Sequence, residues 1–183
     1  MKIAVVGASG YTGLELVRIV LRHPQLELVA VTSEQRAGQA LGEAFPALRG
    51  LSDLCLEAVD PAALASRVDA AFTALPHGTS AGVVSELHKA GVVVVDLSAD
   101  FRLRSREEFD AWYGEHQAPE LFGQAVYGLP EIYGPDLPGA RLVAAPDKIR
   151  AELGWDLQHS SLKNILQTSW EWHREHPEGY TPV

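Results

Sequence analysis

The chain has 183 residues, 46% of them hydrophobic and 21% charged, with 15 Lys and Arg against 24 Asp and Glu for a formal net charge of −9. That is the composition of a globular chain and excludes disorder, collagen and coiled coil; the acidic balance argues against nonspecific nucleic-acid binding and against docking on anionic membranes. No run approaches the roughly 20 apolar residues of a membrane span, the apolar start MKIAVVGA breaks at Gly7 without a cleavage pattern, and the single cysteine, Cys55, forbids an intrachain disulfide, so a reducing, cytoplasmic setting is expected.

Read in chain order, the first 100 residues alternate strand and helix. Lys2 to Val6 is a β-branched apolar run that stops at Gly7, a buried strand. Tyr11 to Arg22 spaces Leu14, Leu16, Val17, Val20 and Leu21 along one helical stripe and is closed by His23-Pro24. Leu26 to Thr32 reads as the second strand and Cys55 to Val59 as a third. Pro61 to Arg67 reads as a short helix with Asp60 as N-cap. Ala70 to Leu75 is a buried strand, Thr79 to Ala90 a helix with Thr79 as its cap, and Val92 to Val95 a strand covered on both faces. Strands without polar faces, alternating with helices, predict an α/β, Rossmann-like doubly wound parallel sheet.

The first turn carries the chemical signal. Gly7-Ala8-Ser9-Gly10-Tyr11-Thr12-Gly13 joins a strand directly to a helix. Glycines there permit a tight turn and close backbone approach, and the helix N-terminus offers free N–H groups to a pyrophosphate. The spacing is GxxGxxG rather than GxGxxG, and the pyrophosphate is expected over Ser9 to Gly13. At the end of the second strand, Ser33 and Arg36 favour a 2′-phosphate and hence NADP, whereas Glu34 favours the 2′-hydroxyl of NAD; Arg36 also reads as part of a solvated loop. Leu75-Pro76-His77 ends another strand at the carboxyl edge and is expected to line the cofactor path. His77 has no orienting partner visible in the sequence and reads as a binding-loop residue rather than a catalyst. Asp96 to Arg102, which contains Ser98, is either a cofactor or substrate loop or a local salt-bridged turn.

GASGYTG, TSEQRAG, ALPHG, VVDLSADFRL, YGLPEIY and ARLVAAP, in that order from Met1 to Pro146, resemble the N-terminal half of N-acetyl-γ-glutamyl-phosphate reductase. The resemblance implies an NADPH-dependent reduction of an acyl phosphate in arginine biosynthesis: a cysteine thiolate attacks, phosphate leaves, and hydride reduces the thioester. Such chemistry needs a low-pKa cysteine, a histidine for the proton and oxyanion donors. The family continues after VAAP with Gly, the nucleophilic Cys, Tyr and Pro, whereas here Pro146 is followed by Asp147-Lys148-Ile149. The nucleophile's position is therefore lost, and the substrate domain is expected to be missing. Cys55, between leucines and near two acids, is expected to be buried and inert.

Residues 147–183 hold Trp155, Trp170 and Trp172, three of the four tryptophans. Their ELGW and WxWHxxHPxGY pieces resemble the C-terminal end of UDP-glucose 4-epimerase. That family's Tyr-x-x-x-Lys is nowhere in the chain, so epimerase activity is not expected. Two resemblances meeting at Pro146 point to a chimera, man-made or a natural fusion: an NADP-binding domain over residues 1–146 and a helical tail over 147–183, with a helix from Leu162 to His173 packing on that domain. A homodimer is expected where such cover is incomplete. The readings left open are an NADP(H)-binding module without catalysis, a reductase that retains activity, and a folding test protein with a collapsed pocket.

Overall fold

The computed structural model describes residues 1–128 and 133–144, within a compact unit spanning Met1–Pro146. Among the described residues, seven strands form one sheet: β1 (Lys2–Val6), β2 (Glu27–Thr32), β3 (Leu56–Glu57), β4 (Ala70–Thr73), β5 (Val93–Asp96), β6 (Val126–Tyr127) and β7 (Leu142–Ala144). Their order is β3-β2-β1-β4-β5-β7-β6, and every pairing is parallel. Five α-helices lie wholly among the described residues: α1 (Tyr11–Arg22), α2 (Leu41–Ala44), α3 (Pro61–Ala65), α4 (Ser80–Lys89) and α5 (Arg106–Tyr113). The α/β doubly wound reading holds.

The period-two geometry of β1 explains why both sheet faces are apolar. Ala4 and Val6 point into one core with Leu64, Ala71, Val84, Leu87 and Val94, beneath α3 and α4. Val5 points into the other with Val17, Val31, Leu41 and Leu48, beneath α1 and α2. In register, Val5 lies between Val31 on β2 and Phe72 on β4. The chain leaves β1 for β2 on one side and reaches β4 on the other, so the order reverses beside β1. In open parallel sheets the crevice at that reversal, beyond the strands' carboxyl ends, is where ligands bind.

Most predicted elements lie where the apolar runs put them. β1 and α1 have the predicted bounds, and Asp60 caps α3 by accepting the Ala63 amide at 3.0 Å. The third strand is shorter than Cys55–Val59: Cys55 makes only an isolated antiparallel bridge with Ala40 and is exposed, not buried. It stands just before β3, the edge strand of the sheet, where no further strand covers the chain. Thr79 stands at the N-cap of α4 but does not cap it, because its hydroxyl turns back to donate to Pro76 O at 2.7 Å. Four elements lack a sequence expectation, among them the four-residue α2. α5 buries only Phe109 and so shows no apolar stripe, and β6 and β7 are two and three residues long. Among the described residues, no helix is long and apolar enough to cross a membrane. The helix expected from Leu162 to His173 and its packing lie outside the described residues.

Candidate functional site

The turn after β1 is built so that a ligand can approach backbone. Gly7 has φ +87°, and a Cβ there would stand 2.6 Å from Ala74 O, so only glycine lets the turn pass the end of β4. The turn is tied to β2: Gly7 N donates to Thr32 Oγ1 at 3.1 Å and Ala8 N to Thr32 O at 2.8 Å. Gly10 is the N-cap of α1 and supplies no side chain to its amides, and no acid sits in the first turn. The helix therefore presents uncompensated N–H groups and its positive end to the cleft. A Cβ on Gly10 would meet nothing nearer than Gly7 O at 3.9 Å, so its outer side is open. Gly13 differs: it is buried, and a Cβ there would lie 2.2 Å from Gly7 O and 2.8 Å from Ala8 Cα. Among the predicted ligand residues, Gly13 is thus the close-packing glycine of helix against turn.

Beyond the carboxyl ends of β1, β2 and β4 lies a cleft of about 410 Å³. Gly7, Ser9 and Gly10 form its floor, Ser33 and Glu34 one end, and Leu75 and Pro76 one wall. Six of the predicted residues therefore meet in one place. Ser33 is only 3% exposed, and its Oγ has no hydrogen-bond partner. A buried hydroxyl left unpaired carries a desolvation penalty that a ligand acceptor removes. Glu34 holds its place by accepting the Val59 amide on Oε1 at 2.8 Å. Arg36 stands outside this lining: its Nη1 donates to Ala44 O at 3.0 Å and its guanidinium lies 5.2 Å from the Phe45 ring centroid. Tyr11, 98% exposed, and Thr12 also lie outside the main lining and border shallower depressions along α1.

The two loops at the carboxyl edge of β4 and β5 form a mutual scaffold. Asp100 is fully buried and caps α4 from the neighbouring loop: its carboxylate accepts Gly78 N at 2.9 Å and Ala81 N at 3.0 Å. Asp96 is equally buried and accepts the hydroxyls of Thr73 and Ser80, both at 2.6 Å, and of Ser98 at 2.5 Å. Among the described residues these acids are engaged by hydroxyls and amides and make no ion pair with Arg102, whose Nη2 donates to Leu97 O at 3.3 Å, so the salt-bridged turn considered above does not form between them. Ser98 Oγ also accepts the Asp100 amide at 3.0 Å, which places this predicted residue inside the scaffold rather than on the cleft. His77 is exposed and does have an orienting partner, which the sequence did not reveal: Ala99 N donates to its Nδ1 at 2.9 Å. An Nδ1 that accepts leaves Nε2 as the protonated nitrogen of the neutral ring. His77, too, lies outside the cleft lining.

Comparison with known proteins agrees with this architecture. The family described as the semialdehyde dehydrogenase, NAD binding domain, matches residues 2–140. N-acetyl-gamma-glutamyl-phosphate reductase of Desulfotalea psychrophila is 51% identical over 146 residues, covering 80% of this chain and 42% of the relative. The enzyme of the same name from Citrifermentans bemidjiense is 47% identical over the same length. The chain thus spans 42% of the length of these relatives. Among solved structures, one described as a probable aspartate-semialdehyde dehydrogenase from Pseudomonas aeruginosa superposes with a TM-score of 0.56 at 25% identity, covering 84% of this chain and 40% of that one. Aspartate semialdehyde dehydrogenase II from Vibrio cholerae gives 0.54 at 18% identity, covering 79% and 41%. The turn that only glycine can make, the uncapped α1 and the family match together place this chain in the semialdehyde dehydrogenase family, as a member of its NAD-binding domain.

Proposed function

We propose that Met1–Pro146 is an NADP(H)-binding domain of the N-acetyl-γ-glutamyl-phosphate reductase type. The observation that carries the reading is the buried, unpartnered Ser33 Oγ at one end of a cleft whose floor is the open glycine turn. The residues fit a dinucleotide: Ser9 and Gly10 at the α1 N-terminus would take the pyrophosphate, and Leu75 and Pro76 would wall its path. Ser33 and Arg36 would take the 2′-phosphate, with Glu34 tied to the Val59 amide. The bound cofactor would supply hydride; the chain's own groups bind and orient it. An aspartate semialdehyde dehydrogenase from Candida albicans, similar in fold with a TM-score of 0.50, was solved with NADP, which supports the same choice.

Catalysis is a separate matter. The resemblance puts the nucleophile two residues after Pro146, and Lys148 stands there. Cys55, the single cysteine, is exposed just before β3, the edge strand of the sheet, and does not line the cleft. The chain is therefore proposed to bind NADP(H) without reducing N-acetyl-γ-glutamyl phosphate. The same reading takes Asp147–Val183 as a segment of different ancestry joined at Pro146, supported by its ELGW and WxWHxxHPxGY pieces.

Calorimetric titration with NADPH and NADH at one salt concentration tests the cofactor assignment. The expected result is NADPH binding at least about tenfold more tightly, as a charge-assisted contact to a phosphate provides. Equal affinities would remove the 2′-phosphate role of Ser33 and Arg36, and binding of neither would remove the domain's proposed function.

A further inference from the structure

Arg36 occupies an unusual setting for a guanidinium. It is half-buried, its Nη1 is committed to a backbone carbonyl, Ala44 O at 3.0 Å, and among the described residues no carboxylate pairs with it. The acid two positions away, Glu34, is turned to the Val59 amide. What lies under the guanidinium is the ring of Phe45, 5.2 Å from centroid to Cζ. Phe45 is itself fixed: its amide donates to Leu41 O at 2.9 Å, its carbonyl accepts the Leu48 amide at 2.8 Å, and its ring packs on the core that holds Val17, Leu41 and Leu48. Phe45 also borders a depression of about 360 Å³ together with Ser9, Gly10 and Tyr11, so the ring that carries the cation faces the glycine turn.

An arginine free in solvent samples many rotamers and must give up that freedom to bind an anion. A ring under the guanidinium plane and an acceptor at one Nη remove most of that freedom beforehand, while the fork keeps further N–H groups for a phosphate. We propose that Phe45 is a positioning residue that sets cofactor preference, by holding the Arg36 guanidinium where a 2′-phosphate would meet it. The proposal rests on the NADP(H) reading above and adds the residue that preorganises it.

The test is calorimetric titration of the full chain and of three variants with NADPH and NADH. Phe45→Leu removes the ring but keeps an apolar side chain; it should weaken NADPH about two- to fivefold and leave NADH unchanged, the size expected for a cation–π contact near the surface. Phe45→Tyr restores the ring face and should keep the wild-type NADPH/NADH ratio. Arg36→Ala should lower that ratio by at least as much as Phe45→Leu. A wild-type ratio in Phe45→Leu, alongside a lowered ratio in Arg36→Ala, would overturn the positioning role while leaving the cofactor reading intact. Parallel loss of both cofactors in Phe45→Leu, or equal losses in Phe45→Leu and Phe45→Tyr, would reduce Phe45 to a packing residue. An unchanged ratio in Arg36→Ala would remove the reading of Arg36 itself, and the proposal with it.

Discussion

Three glycines spaced three apart do three different things. Gly7 adopts a positive φ against the end of β4, Gly10 leaves the outside of the turn bare, and Gly13 lets α1 sit on the turn's own backbone. The consequences of adding one methyl group should therefore diverge. In Gly13→Ala the new Cβ collides with backbone atoms that cannot rotate away, and a stability loss of about 3 kcal/mol or more is expected. In Gly10→Ala the backbone, at φ −78° and ψ 162°, already suits alanine and the surroundings are open. Its stability should fall by no more than about 1 kcal/mol, as for a weakened N-cap, while NADPH affinity drops because the methyl group stands where the pyrophosphate must approach. Urea unfolding and calorimetry on the two variants check both halves; a stable Gly13→Ala would contradict the packing role. Which glycine packs and which faces the ligand was not readable from the spacing, since the pattern gives positions along the chain but not what a Cβ would meet.

At the scale of elements, the helix that opens on the second cleft loop depends on a residue from a different loop. Thr79 occupies the capping position of α4 but spends its hydroxyl on Pro76 O, and the Asp100 carboxylate satisfies the amides of Gly78 and Ala81 instead. A buried anion at a helix N-terminus is favoured by the charge-assisted bonds and by the helix dipole. Asp100→Ala should therefore cost about 2–3 kcal/mol, seen as a lower urea midpoint at unchanged slope. A loss below about 0.5 kcal/mol would show that the cap contributes little. The elements themselves were legible wherever burial was two-sided or a stripe was wide: β1, α1, β4 and β5 all announced themselves by apolar runs. α5 did not, because one buried phenylalanine makes no stripe, and β6 and β7 are too short for any period to register. The capping partner was equally hidden, for Asp100 is distant in sequence from the amides it serves, and the local hydroxyl of Thr79 was the nearer candidate.

Across the whole molecule, the parallel order β3-β2-β1-β4-β5-β7-β6 turns separate sequence signals into one place. The glycine turn, the end of β2 and the end of β4 are far apart in the chain, yet they meet because three neighbouring parallel strands finish at the same edge. Gly7, Ser9, Gly10, Ser33, Leu75 and Pro76 are gathered there. His77 and Ser98 went instead to the scaffold behind it, because backbone amides and a buried carboxylate claimed their polar atoms first. The dinucleotide is proposed to bind in this cleft, with its 2′-phosphate reaching Arg36 beyond the lining. Amide ¹H–¹⁵N correlation spectra of the labelled chain, recorded during addition of NADPH, test it most directly. The largest shifts should fall on Gly7, Ser9, Gly10, Ser33, Ala74 and Leu75, with the amides of the α3 and α5 interiors unmoved. Shifts confined to residues away from β1, β2 and β4, or no shifts at saturating NADPH, would contradict it.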